Sequence, residues 1–163
     1  MAQEWIENLA QDIKHRNREV AEDYGRQQHY AGILSTQGME YYVALVECLQ
    51  ENVDALRSQL QGDSTSSDIS IQTIKADEVK LTRSHFPWID ARLTHHDDTI
   101  TLDYAKSPGT AGDPTLDRKT CSFALRVTPG DILSVQDAFA EPPQQYQRPE
   151  DLARRITELL FFA

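Results

Sequence analysis

The sequence predicts an α+β protein in which a long N-terminal helical hairpin is followed by a five- or six-stranded antiparallel meander sheet packed on a C-terminal helix. Three observations predict this class. Apolar residues recur at helical spacing over the first sixty residues, alternate with polar residues from residue 69, and return to helical spacing after Pro149. Helical periodicity indicates an amphipathic helix, whereas strict alternation indicates a strand with one solvated face.

The first sixty residues hold two apolar series. The first is Ile6, Leu9, Ile13 and Val20, and the second is Met39, Tyr42, Val46, Leu49, Val53, Leu56 and Leu60. Continuing the heptad of the first series does not reach the second, and three glycines lie between them. Each glycine costs about 1 kcal/mol relative to alanine inside a helix. The sequence therefore predicts two helices, near 3–30 and 36–61, rather than one rod of about 85 Å.

A polar segment rich in glycine and serine, residues 62–68, marks the clearest boundary in the chain. Such composition is typical of a flexible linker. We therefore predict a helical hairpin or coiled-coil-like segment over residues 1–61 and a sheet with a C-terminal helix over residues 69–163. A chain of 163 residues with 39% hydrophobic content can bury one core, so both parts are expected to form one compact unit.

The connections between the predicted strands are mostly short, which favours antiparallel neighbours. We place one turn at His96-Asp97 and another at Pro129-Gly130. At the second turn, an extra residue would align Leu133 with Val127 and Val135 with Leu125, and so keep all four side chains on one face. A longer link, Lys106–Arg118, is rich in proline and glycine and is expected to be a mobile loop.

The charge pattern argues against several classes of partner. The net charge of −10 is divided evenly, with −5 on residues 1–61 and −5 on residues 62–163. Nucleic acid and anionic membranes require clustered lysine and arginine, so neither is expected as a partner. No stretch approaches the roughly 20 apolar residues of a membrane span, and the N-terminus lacks a secretory pattern. The expected location is cytoplasmic.

Histidine and aspartate are concentrated at His95-His96-Asp97-Asp98, ten residues after His85. Adjacent residues on a strand point to opposite faces, so His95 and His96 are poorly placed to share one metal ion. Aspartate is also a common turn residue. We therefore expect a turn here, with no metal and no cofactor; His85, His95 and His96 are the candidates if a metal is bound.

The outward face of the predicted sheet is the candidate ligand-binding surface, and no catalytic residue is assigned. Its candidate residues are Trp88, Asp90, Arg92, Asp103 and Arg126. With the turn at His96-Asp97, Asp90 would lie opposite Asp103, with Arg92 diagonal to Asp103. Two buried carboxylates beside an arginine could support acid–base chemistry, whereas the same groups on an exposed sheet form an ordinary charge ladder.

Two functional hypotheses follow. The first is a non-enzymatic, self-associating interaction module of the adaptor or chaperone-like kind, forming a homodimer through the second apolar series and binding a further protein. The seven positions of that series exceed what the first series can cover, so either the sheet or a partner must cover the rest. The alternative is a small-molecule binder or metal-assisted enzyme that uses the polar sheet face.

Overall fold

The computed structural model describes residues 2–62, 68–85, 88–107, 117–137 and 140–161. In chain order the described elements are α1 (Ala2–Gln59), β1 (Ile69–Lys75), β2 (Glu78–Arg83), β3 (Ile89–His96), β4 (Thr99–Lys106), β5 (Asp117–Thr128), β6 (Ile132–Asp137), β7 (Gln144–Tyr146) and α2 (Pro149–Phe161). The strands form one antiparallel sheet in sequence order, which is a meander. The predicted α+β class is confirmed.

The N-terminal helix is continuous over 58 residues, so the predicted hairpin is wrong. The error lies in the heptad, because 3.5 residues per turn suits supercoiled helices and a straight helix has 3.6. Ile6 and Tyr42 are 36 positions apart, which is about ten whole turns of a straight helix. The two apolar series therefore follow one line along one side of α1, and no change of register separates them.

Two of the three glycines that favoured a break lie on solvent-exposed turns of α1. A Cβ atom added at Gly25 or Gly32 would meet nothing within 4 Å. Replacing both by alanine is therefore expected to stabilise the local helix by about 1 kcal/mol per site. Slower amide hydrogen exchange across residues 18–35 would show this gain. The control is Gly62→Ala at φ 100°, where a side chain is strained and a loss is expected. Unchanged exchange in the double variant would contradict the continuous helix.

The second half of α1 lies across one face of the sheet and forms the core with it. Tyr42, Leu45, Leu49 and Val53 point from the helix into this layer. The alternate residues of the strands face them, and α2 packs beside α1 on the same side through Leu152, Ala153, Ile156 and Leu160. The buried helix residues recur every three or four positions because one stripe of a straight helix faces the sheet.

Strand register was predicted correctly at one turn and incorrectly at the other. Leu125 pairs with Val135 and Val127 pairs with Leu133, as the extra turn residue required. The β3–β4 turn instead lies at Asp97-Asp98, with His96 paired to Thr99. Asp97 has φ 51°, a left-handed conformation that aspartate tolerates because its short side chain bonds nearby backbone.

The described residues form seven strands, one more than the largest number that the sequence predicted. Residues 144–146 were not predicted as a strand, and they pair with β6 as β7. Strand β5 begins at Asp117, which pairs with Lys106 at the end of β4. The interior of the predicted mobile loop, residues 108–116, lies outside the described residues, as do linker residues 63–67.

Candidate functional site

The outer sheet face carries a ladder of charges across four strands. Arg118 lies 2.9 Å from Asp103 and 3.5 Å from Asp90, while Arg92 lies 3.1 Å from Glu78. Arg92, rather than Asp90, is directly opposite Asp103, which corrects the predicted pairing. The side chains of Asp90, Arg92, Asp103 and Arg118 are each roughly half exposed to solvent. Solvated pairs of this kind contribute about 0–1 kcal/mol each and resemble a charge ladder more than an acid–base pair.

The other two candidates on this face do not join the ladder. Trp88 precedes β3, where its backbone N–H donates to the Ser107 hydroxyl at 3.1 Å and its carbonyl accepts from the Ser107 N–H at 3.0 Å. Arg126 lies eight residues beyond Arg118 on β5, a separation of about 26 Å along a strand. The predicted ligand-binding residues are therefore spread along the sheet and do not surround one point.

The three candidate histidines occupy three different places. His95 points to the helix side of the sheet and stacks on Tyr42, with ring centroids 5.5 Å apart. His96 is exposed beyond the end of the ladder, and the ring of His85 contacts Asp68. Within the described ranges, three or more histidine, cysteine or acidic side chains do not come together as a metal site. His95 and the pair Asp90 and Asp103 lie on opposite faces of the sheet.

Asp68 holds Ser84 and His85, the two residues that follow β2. Its carboxylate accepts from the Ser84 N–H at 3.0 Å, the Ser84 hydroxyl at 2.6 Å and the His85 N–H at 2.8 Å. Desolvation raises the pKa of Asp68, but hydrogen bonds from Ser84 and His85 outweigh it and lower the pKa from 3.8 to about 2. Asp68 is thus an anion at neutral pH that fixes Ser84 and His85, and its low proton affinity makes it a poor general base.

The residues of the second apolar series pack against the core of their own chain. Tyr42, Leu49 and Val53 are fully buried against the sheet, and Tyr42 also donates its hydroxyl to the Leu93 carbonyl at 3.0 Å. Met39, Val46, Leu56 and Leu60 are partly buried and pack against the same core. The sheet therefore supplies cover that the sequence left open to a partner, and dimer formation itself stays a prediction.

The first half of α1 has no such cover. Residues 3–29 are all exposed, and we call this segment the arm. At 1.5 Å per residue the arm is about 40 Å long. Its six large apolar side chains, which we call the stripe, remain 48–68% exposed: Trp5, Ile6, Leu9, Ile13, Val20 and Tyr24. Sequence periodicity identified four of these residues but not their exposure, because exposure depends on where the sheet ends.

A cleft lies where the arm meets the body. It has a volume of about 630 Å³ and is lined by Ala31, Leu34, Ser35, Met39, His95, Asp97 and Asp98. The β5–β6 turn also reaches α1 here, since His29 lies 2.9 Å from Asp131. The cleft combines apolar helix residues with two carboxylates at its rim, and it opens beside the end of the stripe.

Comparison with known proteins gives no assignment: neither a protein-family model, nor a curated protein, nor a solved structure matches this chain. The described helices also include none that is long and apolar enough to cross a membrane.

Proposed function

We propose that this protein is a non-enzymatic protein-interaction module that binds through its arm. One observation carries the proposal: six large apolar side chains are displayed along one side of a helix that extends beyond the body. Isolated helices of this length are marginal in water, because most helical stability comes from packing an apolar face. Covering the stripe would therefore stabilise the arm and bind a partner at the same time.

Covering the stripe would supply several kcal/mol of the free energy of binding. Burying a large apolar side chain completely contributes about 1.5–3 kcal/mol. Since each stripe residue is about half exposed, its complete burial would add about 1 kcal/mol, and the six together would add roughly 6 kcal/mol. The stripe is an exposed apolar surface of the kind that marks interaction sites, interrupted by Arg16 and Asn17 between Ile13 and Val20.

The charge of the arm favours protein over lipid. Between Gln3 and His29 the sequence carries six acidic and four basic residues, so the polar side of the arm is not a basic surface. Helices that lie on anionic membranes need lysine and arginine on that side. The polar sheet face, which would serve a small-molecule binder or a metal-assisted enzyme, offers only the solvated ladder.

The test compares two double variants of the full-length protein. Ile13→Asp with Val20→Asp places charges in the stripe, whereas Lys14→Gln with Arg18→Gln makes the same change in net charge on the opposite side of the arm. After chemical crosslinking in cells, the first variant is expected to be found in few crosslinked complexes with other protein chains. The second variant is expected to form these complexes as the unmodified protein does. Equal crosslinked complexes from both variants would show that the arm is not the binding element.

A further inference from the structure

We propose that the stripe is covered by the arm of a second copy of this chain, packed antiparallel, so that each N-terminus reaches the cleft of the other copy. This inference rests on the proposed function and names its partner. The starting observation is that the stripe and the core-facing residues of α1 form one line. At about 100° per residue, Trp5, Ile6, Val20, Tyr42 and Leu49 all fall within an arc of roughly 130°.

This collinearity determines the direction of pairing. The sheet covers α1 from Gly38 onward, on the same side as the stripe. In a parallel, in-register pair, both sheets would lie between the two helices at the same height and would overlap. In an antiparallel pair, each sheet lies beyond the N-terminus of the other arm. A closed two-fold dimer with matching surfaces therefore requires the antiparallel arrangement.

The length of the exposed stripe matches this arrangement. On the side of the stripe, Leu34 is partly buried and Gly38 is the first buried residue of α1. A pair with Val20 as its midpoint places residues 3–29 of one copy opposite residues 11–37 of the other, so the arm stays clear of Gly38. Pairing about that midpoint places Val20 against Val20, Leu9 against Ala31, and Ile6 against Leu34 of the other copy. Leu34 and Ala31 line the cleft, so Ile6 and the neighbouring Trp5 enter it from the partner.

Charges beside the stripe are complementary in the same arrangement. In a two-fold antiparallel pair, side chains on one flank of a helix meet the same flank of the partner. Asp12, Arg16, Asp23 and Arg26 all lie close to the direction of Trp5, at one edge of the stripe, at helical spacing. Pairing about the midpoint brings Asp12 near Arg26 and Arg16 near Asp23. Asp23 already pairs with Arg26 of its own helix, so these contacts extend an existing ion pair.

The area is adequate for a specific dimer. Two arms bring twelve half-exposed large apolar side chains together. At roughly 100 Å² each, given that an aromatic side chain buries about 150–250 Å² when fully covered, they would bury about 1,200 Å². Specific interfaces bury about 1,200–2,000 Å² in total.

The first test is the mass in solution. The unmodified protein is expected to show twice the chain mass of 18.5 kDa in light scattering and to dissociate on dilution. Ile13→Asp with Val20→Asp is expected to weaken dimerisation by about 100-fold or more, because a carboxylate would be buried against apolar residues. Lys14→Gln with Arg18→Gln, on the opposite side of the arm, is expected to leave dimerisation within a few-fold. A mass of 18.5 kDa at every concentration, or a dimer insensitive to the stripe variant, would overturn the proposal.

The second test determines direction. In a full-length background with Cys48→Ser and Cys121→Ser, Val20→Cys is expected to form a disulfide-linked dimer with itself. Leu9→Cys mixed with Ala31→Cys is expected to give the mixed dimer, with little of either self-crosslinked product. Self-crosslinking at both positions 9 and 31 would indicate a parallel pair and would overturn the proposal.

The two proposals fail in different ways. If the purified protein is monomeric but crosslinks in cells still depend on the stripe, another protein occupies the arm and only the second-copy inference fails. If neither mass nor crosslinks depend on the stripe, both proposals fail.

Discussion

Replacing Leu49 and Val53 by aspartate is expected to unfold the protein. Both side chains are about 1% exposed and pack against the sheet within one chain. A buried carboxylate without a partner costs several kcal/mol, and two such sites approach the 5–15 kcal/mol that holds a domain of this size together. Loss of near-ultraviolet circular dichroism and of the cooperative urea transition would show the expected outcome.

The matched control for this experiment is Ile13→Asp with Val20→Asp, which makes similar changes on the same helix. Ile13 is 50% exposed and Val20 is 68% exposed. At concentrations where this variant and the unmodified protein are both monomeric, we therefore expect them to unfold at the same urea concentration. If Leu49→Asp with Val53→Asp instead gave a folded monomer, these residues would lie in a subunit interface and not in the core.

The sheet could be predicted from the sequence because side chains on a strand repeat every two residues, which is a whole number. Side chains alternate between two faces with no accumulated error, so one apolar residue identifies the face of its neighbours. The pairing of Val127 with Leu133 followed from this rule alone. The β3–β4 turn did not, because both His96-Asp97 and Asp97-Asp98 keep the same faces inward. That one-residue shift places Arg92, in place of Asp90, opposite Asp103.

The long helix was mispredicted because its period is not an integer. Over a few turns, 3.5 and 3.6 residues are indistinguishable, but over the 36 positions from Ile6 to Tyr42 they differ by about one residue. The average cost of glycine relative to alanine inside a helix was also counted at Gly25 and Gly32, which favoured a break between two helices. An exposed helical glycine weakens a helix without ending it.

The candidate surfaces could not be ranked from sequence. The apolar series starting at Ile6 and the one starting at Met39 have the same spacing, yet one is exposed and the other largely covered. Which half of a helix contacts the sheet depends on the lengths of the strands and on the point along the helix where the chain, at Ile69, enters the sheet. Neither can be read from the local sequence of the helix. The sequence therefore predicted self-association but placed it on the half of α1 that the core occupies.

Deleting residues 1–28 is expected to separate the body from the arm cleanly. Among the described residues, the buried apolar core begins at Tyr41, and the deletion keeps the pair between His29 and Asp131. The lost contacts within the arm are exposed ion pairs, such as His15 with Glu19 at 3.2 Å. The free energy of unfolding of the monomer is therefore expected to change by no more than about 0.5 kcal/mol.

The large effect of this deletion is expected in the concentration dependence of stability. A full-length dimer gains stability with protein concentration, because association favours the folded state by mass action. The truncated protein lacks the stripe, so its melting temperature is expected to be the same across a hundredfold range of concentration. Full-length Ile13→Asp with Val20→Asp is expected to behave like the truncated protein, since both remove the same apolar contact. If the truncated protein still gained stability with concentration, the association surface would lie on the body. If the truncated monomer at high dilution were several kcal/mol less stable than the full-length monomer, the arm would be shown to support the core.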